Sequence, residues 1–255
     1  GLPAALAERF DSSPYQPEAD PDLTAPALLT DYHLPWADGS WGTVTRSYAM
    51  HGRGTIDFDL TGLEVAAARG GVIVYANDRS AINGYGSGAW WYWNVVVIEH
   101  GAGAFSLYGH LAPESIPAWI TSACSSELSQ PNCSVPVRAG DVIGHEGNTG
   151  NSTRSHLHIE FGQQFGITAY PDVHDMDADG DRIEPIHTAF VYAEHDVAFA
   201  GYTAAEVGAW PWGTLEQASH RQPPPADVNL VTNGDFERGT EGWRPSGQLS
   251  WAVAE

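Results

Sequence analysis

The amino-acid sequence predicts an all-β fold, and two observations carry this prediction. Short runs of β-branched and aromatic residues are separated by turn signals rich in glycine and asparagine, as at Asn83-Gly84. No amphipathic helical pattern of about ten or more residues occurs. The predicted strands are 71–76, 93–99, 105–111, 134–137 and 156–161.

The organisation along the chain follows changes in composition. Residues 1–30 carry proline, alanine and acidic residues without sustained periodicity, which indicates an N-terminal arm or the remnant of a pro-segment. The predicted strands all lie in a core at 31–161. Residues 162–220 are less regular and strongly acidic, and they predict a loop-rich appendage with one short helix near 204–209.

The last part of the chain begins with a proline-rich stretch. Residues 221–228 contain Pro223-Pro224-Pro225 and predict a stiff linker. Residues 229–255 resemble the first strand of a jelly-roll carbohydrate-binding module but are too few for such a sandwich. We expect either the start of a truncated carbohydrate-binding β-sandwich or a strand added to the core, and we favour the first.

Charge excludes two classes of partner. The chain has 32 acidic residues and 11 basic ones, all of them arginine, for a formal net charge of −21. Binding to nucleic acid or to an anionic membrane surface requires clustered basic side chains, and the sequence contains no such cluster. No apolar run approaches the roughly 20 residues that cross a bilayer, so no membrane span is expected.

Cys124 and Cys133 lie nine positions apart in a stretch rich in serine and proline. This context favours a local disulfide in an exported protein, with a pair of cytosolic free thiols as the alternative. The spacing is not that of a zinc-binding CxxC pair. The disulfide context leads us to expect a secreted, extracellular protein. No charged and apolar leader follows Gly1, so any signal peptide has been removed or was not included.

Two histidines, His156 and His158, alternate around an apolar residue in a predicted strand. Side chains two apart on a strand share a face, so both imidazoles would point into one cleft. His110, His51 and Asp57 lie in or beside other predicted strands. Neutral imidazole and carboxylate groups are zinc ligands, and a catalytic zinc takes three of them and leaves a position for water. Glu160 shares the face of both histidines and is predicted to be structural.

Further motifs surround these residues. In chain order they are Ile56-Asp57-Phe58, the segment 65–72, Asn83-Gly84-Tyr85-Gly86, the segment 95–101, Tyr108-Gly109-His110-Leu111, the segment 137–144 and the segment 147–160. Together they resemble the lysostaphin-like (M23) zinc endopeptidases of bacterial peptidoglycan. Leu34-Pro35-Trp36 is similar to the secreted β-lytic branch of that family.

The resemblance implies an antiparallel-sheet zinc peptidase core at 31–161. Within it His51, Asp57 and His158 would bind zinc, and His110 and His156 would form the catalytic pair beside it. The commonest family spacing places the first ligand at Arg53, and an arginine cannot bind zinc. We therefore expect a longer loop that brings His51 to the metal, with His33 as the alternative ligand.

The implied activity is hydrolysis of peptide bonds in peptidoglycan, in the cross-bridge or the stem peptide, by a secreted zinc-dependent endopeptidase. Bound zinc would lower the pKa of its water toward about 7 and polarise the scissile carbonyl. One alternative is a protease of glycine-rich extracellular proteins, and another is an inactive module that binds the cell wall. The presence of all five zinc and catalytic residues favours an enzyme. Cell-wall polysaccharide is a further expected partner.

A spaced run of carboxylates in the acidic appendage suggests a calcium site. Its candidate ligands are Asp175, Asp177, Asp179, Asp181 and Glu184. Calcium collects such hard oxygen ligands around a sharp glycine turn. An EF-hand would require Glu at the twelfth position, which is Ile186 here. A shorter calcium loop and a solvated acidic turn therefore both remain open.

Overall fold

The computed structural model describes residues 32–218, apart from several gaps. The gaps are 53, 85–90, 102, 129–130, 170–174, 177–181, 184–185 and 193–196. The predicted arm at 1–30, the linker at 221–228 and the segment 229–255 lie outside the described residues. The described residues all belong to one compact unit of the chain.

The described elements are mostly short strands. The strands are β1 Trp41–Arg46, β2 Thr55–Asp59, β3 Glu64–Ala66, β4 Gly71–Asn77, β5 Asn83–Gly84, β6 Val95–Glu99, β7 Phe105–Gly109, β8 Val135–Val137, β9 Val142–His145, β10 Gly150–Asn151, β11 Leu157–Ala169, β12 Asp175–Met176, β13 Arg182–Ile183, β14 Ile186–Tyr192 and β15 Leu215–Gln217. The helices are α1 Tyr48–His51, α2 Ala118–Thr121 and α3 Ala204–Ala209. The all-β prediction is therefore confirmed, with α3 at the predicted short helix.

One large sheet organises the described part of the chain. Its strand order is β15-β1-β2-β11-β7-β6-β4-β8, and β14 pairs with the far half of β11. All pairings in this sheet are antiparallel. The strands that carry chemistry, β2, β11 and β7, lie next to one another near its centre.

The register of the central strands separates two faces of the sheet. Leu157 lies opposite Phe58, and His158 lies opposite Asp57. Leu157 and Phe58 are fully buried in the main hydrophobic core, which also takes Trp36. We call this the core face and the opposite one the site face. The alternation predicted from sequence thus places apolar side chains in the core and the chemically active ones together on the other side.

The sheet continues beyond residue 161, where the sequence predicted a change to irregular structure. Strand β11 runs for 13 residues, to Ala169, and β14 pairs along its second half. Strand β15 returns to the sheet edge and pairs with β1. The region 162–220 therefore shares the central sheet.

Helix α1 occupies the connection between β1 and β2. Gly52 follows it with a φ of 133°, and Gly54 has a φ of 72°. Residues with side chains rarely adopt such values, so the glycines allow the chain to leave the helix and enter β2. The connection leaves His51, the last residue of α1, near the start of β2.

A disulfide joins Cys124 to Cys133, as the sequence favoured. It closes the loop that follows α2. Asn132, beside it, binds the backbone of Ala76 in β4 through both its amide oxygen and its amide nitrogen, each at 3.1 Å. The disulfide therefore closes the loop on itself, and the Asn132 amide ties it to the sheet.

Within the described part of the chain, no helix has the length and apolar character that crossing a membrane requires.

Candidate metal centre

The structure brings together all five residues that the sequence predicted for the site. Asp57 in β2 and His158 in β11 are direct cross-strand partners. His110 follows the end of β7, whose Gly109 is the partner of His158 on the other side. His51 reaches the same place from α1, and His156 from the bridge that precedes β11. Residues far apart in sequence thus meet because β2, β11 and β7 are neighbours in the sheet.

His158 lies between two carboxylates. Its Nδ1 is 2.8 Å from Asp57 Oδ1, and its Nε2 is 2.8 Å from Glu160 Oε1. All three side chains are buried. Because Nε2–H donates to Glu160, Nδ1 is the nitrogen left to face Asp57 and a metal ion. Glu160, which the sequence suggested was structural, therefore orients a candidate metal ligand. Its position two residues after His158 was the available signal.

Asp57 and His158 shift each other's pKa. Burial opposes ionisation of Asp57, but hydrogen bonds from His158 and His51 outweigh it and hold the pKa of the carboxyl well below its usual range. Burial also opposes a charge on His158, but hydrogen bonds to Asp57 and Glu160 raise its pKa to about 10. A metal ion that binds Nδ1 must therefore displace a proton from it.

His51 is placed where the first ligand is required. Its Nε2 lies 3.3 Å from Asp57 Oδ2, and its ring centroid is 4.9 Å from that of His158. One turn of helix α1 supplies the longer connection that the sequence called for. Arg53, at the commoner spacing, lies outside the described residues. His33 is buried elsewhere, with its backbone N–H donating to Ala68 O.

His110 and His156 form a pair, with ring centroids 4.7 Å apart. The Nδ1–H of His110 donates to Thr149 O at 2.6 Å, and that of His156 donates to Arg154 O at 2.9 Å. Each ring therefore keeps its Nε2 as the proton-accepting nitrogen. Burial, with the nearby His158, lowers the pKa of His110 to about 3, and burial also lowers the pKa of His156. Both imidazoles are accordingly neutral near pH 7.

Among the described residues, two sets of three side chains are placed to hold a metal ion, and both include His158. One set is His51, Asp57 and His158, and the other is His110, His156 and His158. Within each set the ligand atoms lie within 4.8 Å of one another. The first set combines two imidazoles with a carboxylate, which is the donor chemistry of a catalytic zinc site. The residues present therefore fit zinc.

The side chain of Trp93 borders the site. The Trp93 ring centroid lies 5.6 Å from that of His110 and 6.1 Å from that of His158. Two glycines leave room for it, since a Cβ on Gly109 would lie 2.6 Å from the ring and one on Gly150 would lie 2.5 Å from Trp93 Cβ. Any larger side chain at these positions would displace the indole that packs against the two histidines.

The predicted calcium site lies largely outside the described residues. Asp175 belongs to the two-residue strand β12, whose backbone is described. Asp177, Asp179, Asp181 and Glu184 fall in the gaps. The calcium loop therefore stays a prediction.

Several solved structures are similar to the chain. Pseudoalterin, an M23 metalloprotease from the deep sea, is 18% identical, with coverage of 64% of this chain and 99% of that one and a TM-score of 0.35. The catalytic domain of the antimicrobial peptidase lysostaphin from Staphylococcus simulans is 22% identical, with coverage of 51% and 76% and a TM-score of 0.30. A zinc-containing peptidase from Vibrio cholerae is 21% identical, with coverage of 53% and 37% and a TM-score of 0.31.

No protein-family model matches the chain. Among curated proteins, a stretch of 99 residues is 36% identical to the DD-carboxypeptidase/endopeptidase Mpg of Neisseria meningitidis serogroup B and to that of Neisseria gonorrhoeae. The stretch covers 39% of this chain and only 17% of the length of these relatives. The resemblance to the lysostaphin-like (M23) peptidases that the motifs indicate is therefore confirmed.

Proposed function

We propose that the protein is a secreted zinc endopeptidase that hydrolyses peptide bonds in bacterial peptidoglycan. The observation that carries the proposal is the meeting of a His–Asp–His ligand set with a second pair of neutral histidines at one place on the sheet. The metal set is His51, Asp57 and His158, and the pair is His110 and His156. The sequence similarity to a DD-carboxypeptidase/endopeptidase supports the same class of substrate.

His51, Asp57 and His158 would hold the zinc ion. When bound, zinc would supply a Lewis acid for the scissile carbonyl and an acidified water. Asp57 is 4% exposed and contributes the negative charge that a divalent cation requires in a buried site. Glu160 keeps the Nδ1 of His158 directed toward Asp57.

The two remaining histidines would handle the protons. Each presents Nε2 because its Nδ1–H is held by a backbone carbonyl. One Nε2 accepts the proton of the attacking water and returns it to the leaving amine. While it holds that proton, the same ring donates a hydrogen bond to the oxyanion that develops on the carbonyl, and the second ring accepts a hydrogen bond from the water through its unprotonated Nε2. The low pKa of His110 favours it as a neutral group before reaction, and His156, nearer to Asp57 Oδ2 at 3.8 Å, is the better-placed base.

Secretion is part of the proposal. The Cys124–Cys133 disulfide supports an oxidising compartment, because cytosolic thiols are kept reduced. Peptidoglycan lies in such a compartment.

The test is mass analysis of the fragments released from purified peptidoglycan by the zinc-loaded protein. Walls with glycine cross-bridges, walls with direct cross-links and a soluble glycine-rich protein should be compared. New amino and carboxyl termini within wall peptides support the proposal, and their position identifies the bond. Cleavage of the glycine-rich protein alone, or the absence of cleavage in every substrate, would contradict it.

A further inference from the structure

We propose that Asn94 and Thr149 are positioning residues that hold His110 at the metal centre. The proposal rests on the function proposed above, because His110 is one of its two proton-handling histidines. It is carried by a closed set of buried hydrogen bonds around His110.

The backbone of His110 adopts an unfavourable conformation. Its φ is 60°, in the left-handed region that non-glycine residues seldom enter, while its side chain is only 8% exposed. Such a conformation is unfavourable for a residue with a side chain and persists only where neighbouring contacts enforce it. The turn from Gly109 through His110 directs the ring away from β7 and toward His156 and His158.

The contacts that enforce it come from Asn94 and Thr149. Leu111, the next residue, donates its N–H to Asn94 O at 3.2 Å. The Leu111 carbonyl accepts from Thr149 Oγ1 at 2.9 Å and from Asn94 Nδ2 at 3.3 Å. The ring of His110 donates to Thr149 O at 2.6 Å. Asn94 and Thr149 therefore both hold the backbone that follows His110, and Thr149 also holds its ring.

Asn94 and Thr149 are also bonded to each other. The Asn94 N–H donates to Thr149 Oγ1 at 2.9 Å. The side-chain amide of Asn94 also binds the backbone of Ser80. The Ser80 N–H donates to Asn94 Oδ1 at 2.9 Å, and Asn94 Nδ2 donates to the Ser80 carbonyl at 2.8 Å. Asn94 is 0% exposed and Thr149 is 2% exposed. Hydrogen bonds in such a dry environment are strong and hold one geometry.

The hydrogen bond between His110 and Thr149 fixes which ring nitrogen of His110 carries the proton. Because Thr149 O takes the Nδ1 proton of His110, the lone pair of that ring is at Nε2. If the Thr149 carbonyl moved, both the tautomer and the aim of the ring would be lost. Trp93, the residue before Asn94, packs against the same ring. Trp93 therefore packs against the His110 ring, while Asn94 holds the backbone of Leu111.

Thr149 provides the sharpest test, because valine has its shape without its hydroxyl and serine keeps the hydroxyl. The zinc-loaded full chain should be assayed for release of dye from labelled purified peptidoglycan. We expect Thr149→Val to keep one zinc per chain and lose about 10- to 100-fold in rate at saturating substrate. Its apparent KM should stay within about twofold, and Thr149→Ser should keep most of the rate.

Nitrogen-15 NMR of the His110 imidazole gives a readout that does not depend on activity. The wild-type protein should show a proton held at Nδ1, and Thr149→Val should lose or broaden that signal while Thr149→Ser keeps it. If the wild-type protein releases no dye, the proposed function fails, while the NMR comparison still tests the positioning. An unchanged His110 signal in Thr149→Val, or an unchanged rate, would overturn the inference.

Asn94 has a matched control in Asn132. Asn132 is 8% exposed and binds both the N–H and the carbonyl of Ala76, but it contacts no histidine of the site. We expect Asn94→Ser to change the His110 signal and the rate, and Asn132→Ser to lower stability alone. Equal losses of rate in the two variants would mean a structural role and overturn the inference. If Asn94→Ser does not fold, the Thr149 pair decides.

Discussion

Glu160 Oε1 lies 2.8 Å from Nε2 of His158, on the side of the ring opposite Asp57. A carboxylate in this position fixes the ring and increases the basicity of the nitrogen that binds a metal. We expect Glu160→Leu to weaken zinc binding by about 10- to 100-fold, measured by competition with a chromophoric chelator. Glu160→Gln keeps an oxygen that can accept from Nε2–H and should lose less. Equal affinities for the wild-type protein and Glu160→Leu would show that the contact does not support the metal.

The identity of the first metal ligand is tested by comparing two histidines. His51 Nε2 lies 3.3 Å from Asp57, whereas His33 is buried beside Ala68. We expect His51→Ala to lose stoichiometric zinc after dialysis and His33→Ala to keep it, as measured by elemental analysis of folded protein. The opposite pattern would assign the site to His33.

The roles of the histidine pair predict a separation of metal binding from catalysis. His156 belongs to the second potential metal set, but its Nδ1 is bound to a backbone carbonyl and its Nε2 faces the Asp57 carboxylate. We expect His156→Ala to keep one zinc per chain and to lose about 100- to 10,000-fold in the hydrolysis rate. Loss of the metal together with activity would instead place zinc on the set His110, His156 and His158.

His100 predicts how stability depends on pH. It lies outside the metal centre, with Nδ1 3.0 Å from Gly70 O and Nε2 2.8 Å from Ser106 Oγ. Burial lowers its pKa from 6.5 to about 4, so the folded protein disfavours the protonated ring. Between pH 6.5 and 4 the unfolded chain binds a proton at His100 that the folded chain does not, and stability therefore falls as pH falls.

Urea unfolding of the wild-type protein and His100→Gln isolates this effect. The wild-type free energy of unfolding should exceed that of His100→Gln by a constant amount above about pH 7. As the pH is lowered from there to 4, this difference should shrink by on the order of 1 kcal/mol per pH unit. A difference between the two proteins that does not change over this range would contradict the assignment.

The central strands could be predicted because they leave local signals, whereas the roles of the five site residues came from the resemblance to a known family. Strands β4 and β6 contain apolar runs, β7 carries two aromatic residues and a leucine, and His156 and His158 share a strand face by simple alternation. Strand β15 could not be predicted in this way. Its three residues, Leu215–Gln217, carry no β-type pattern and form a strand only because β1 offers an edge.

The roles of the residues that support the site could not be predicted either, because they depend on contacts with other parts of the chain. Asn94 lies in sequence between an aromatic residue and an apolar run and belongs to no chemical motif. Its role depends on contacts with Leu111 and Thr149, which lie 17 and 55 positions away. Glu160 was visible by its strand parity, but the direction of its carboxylate depends on the packing around His158.

Hydrolysis by a metal centre that uses His156 is the central proposal, and one paired measurement tests it most directly. Zinc-loaded wild-type protein and zinc-loaded His156→Ala should be incubated with the same purified peptidoglycan, and new amino groups should be counted over time. We expect steady release of amino groups by the wild-type protein and almost none by the variant, at equal zinc content. Equal release by both proteins, or none by a wild-type protein that holds its zinc, would contradict it.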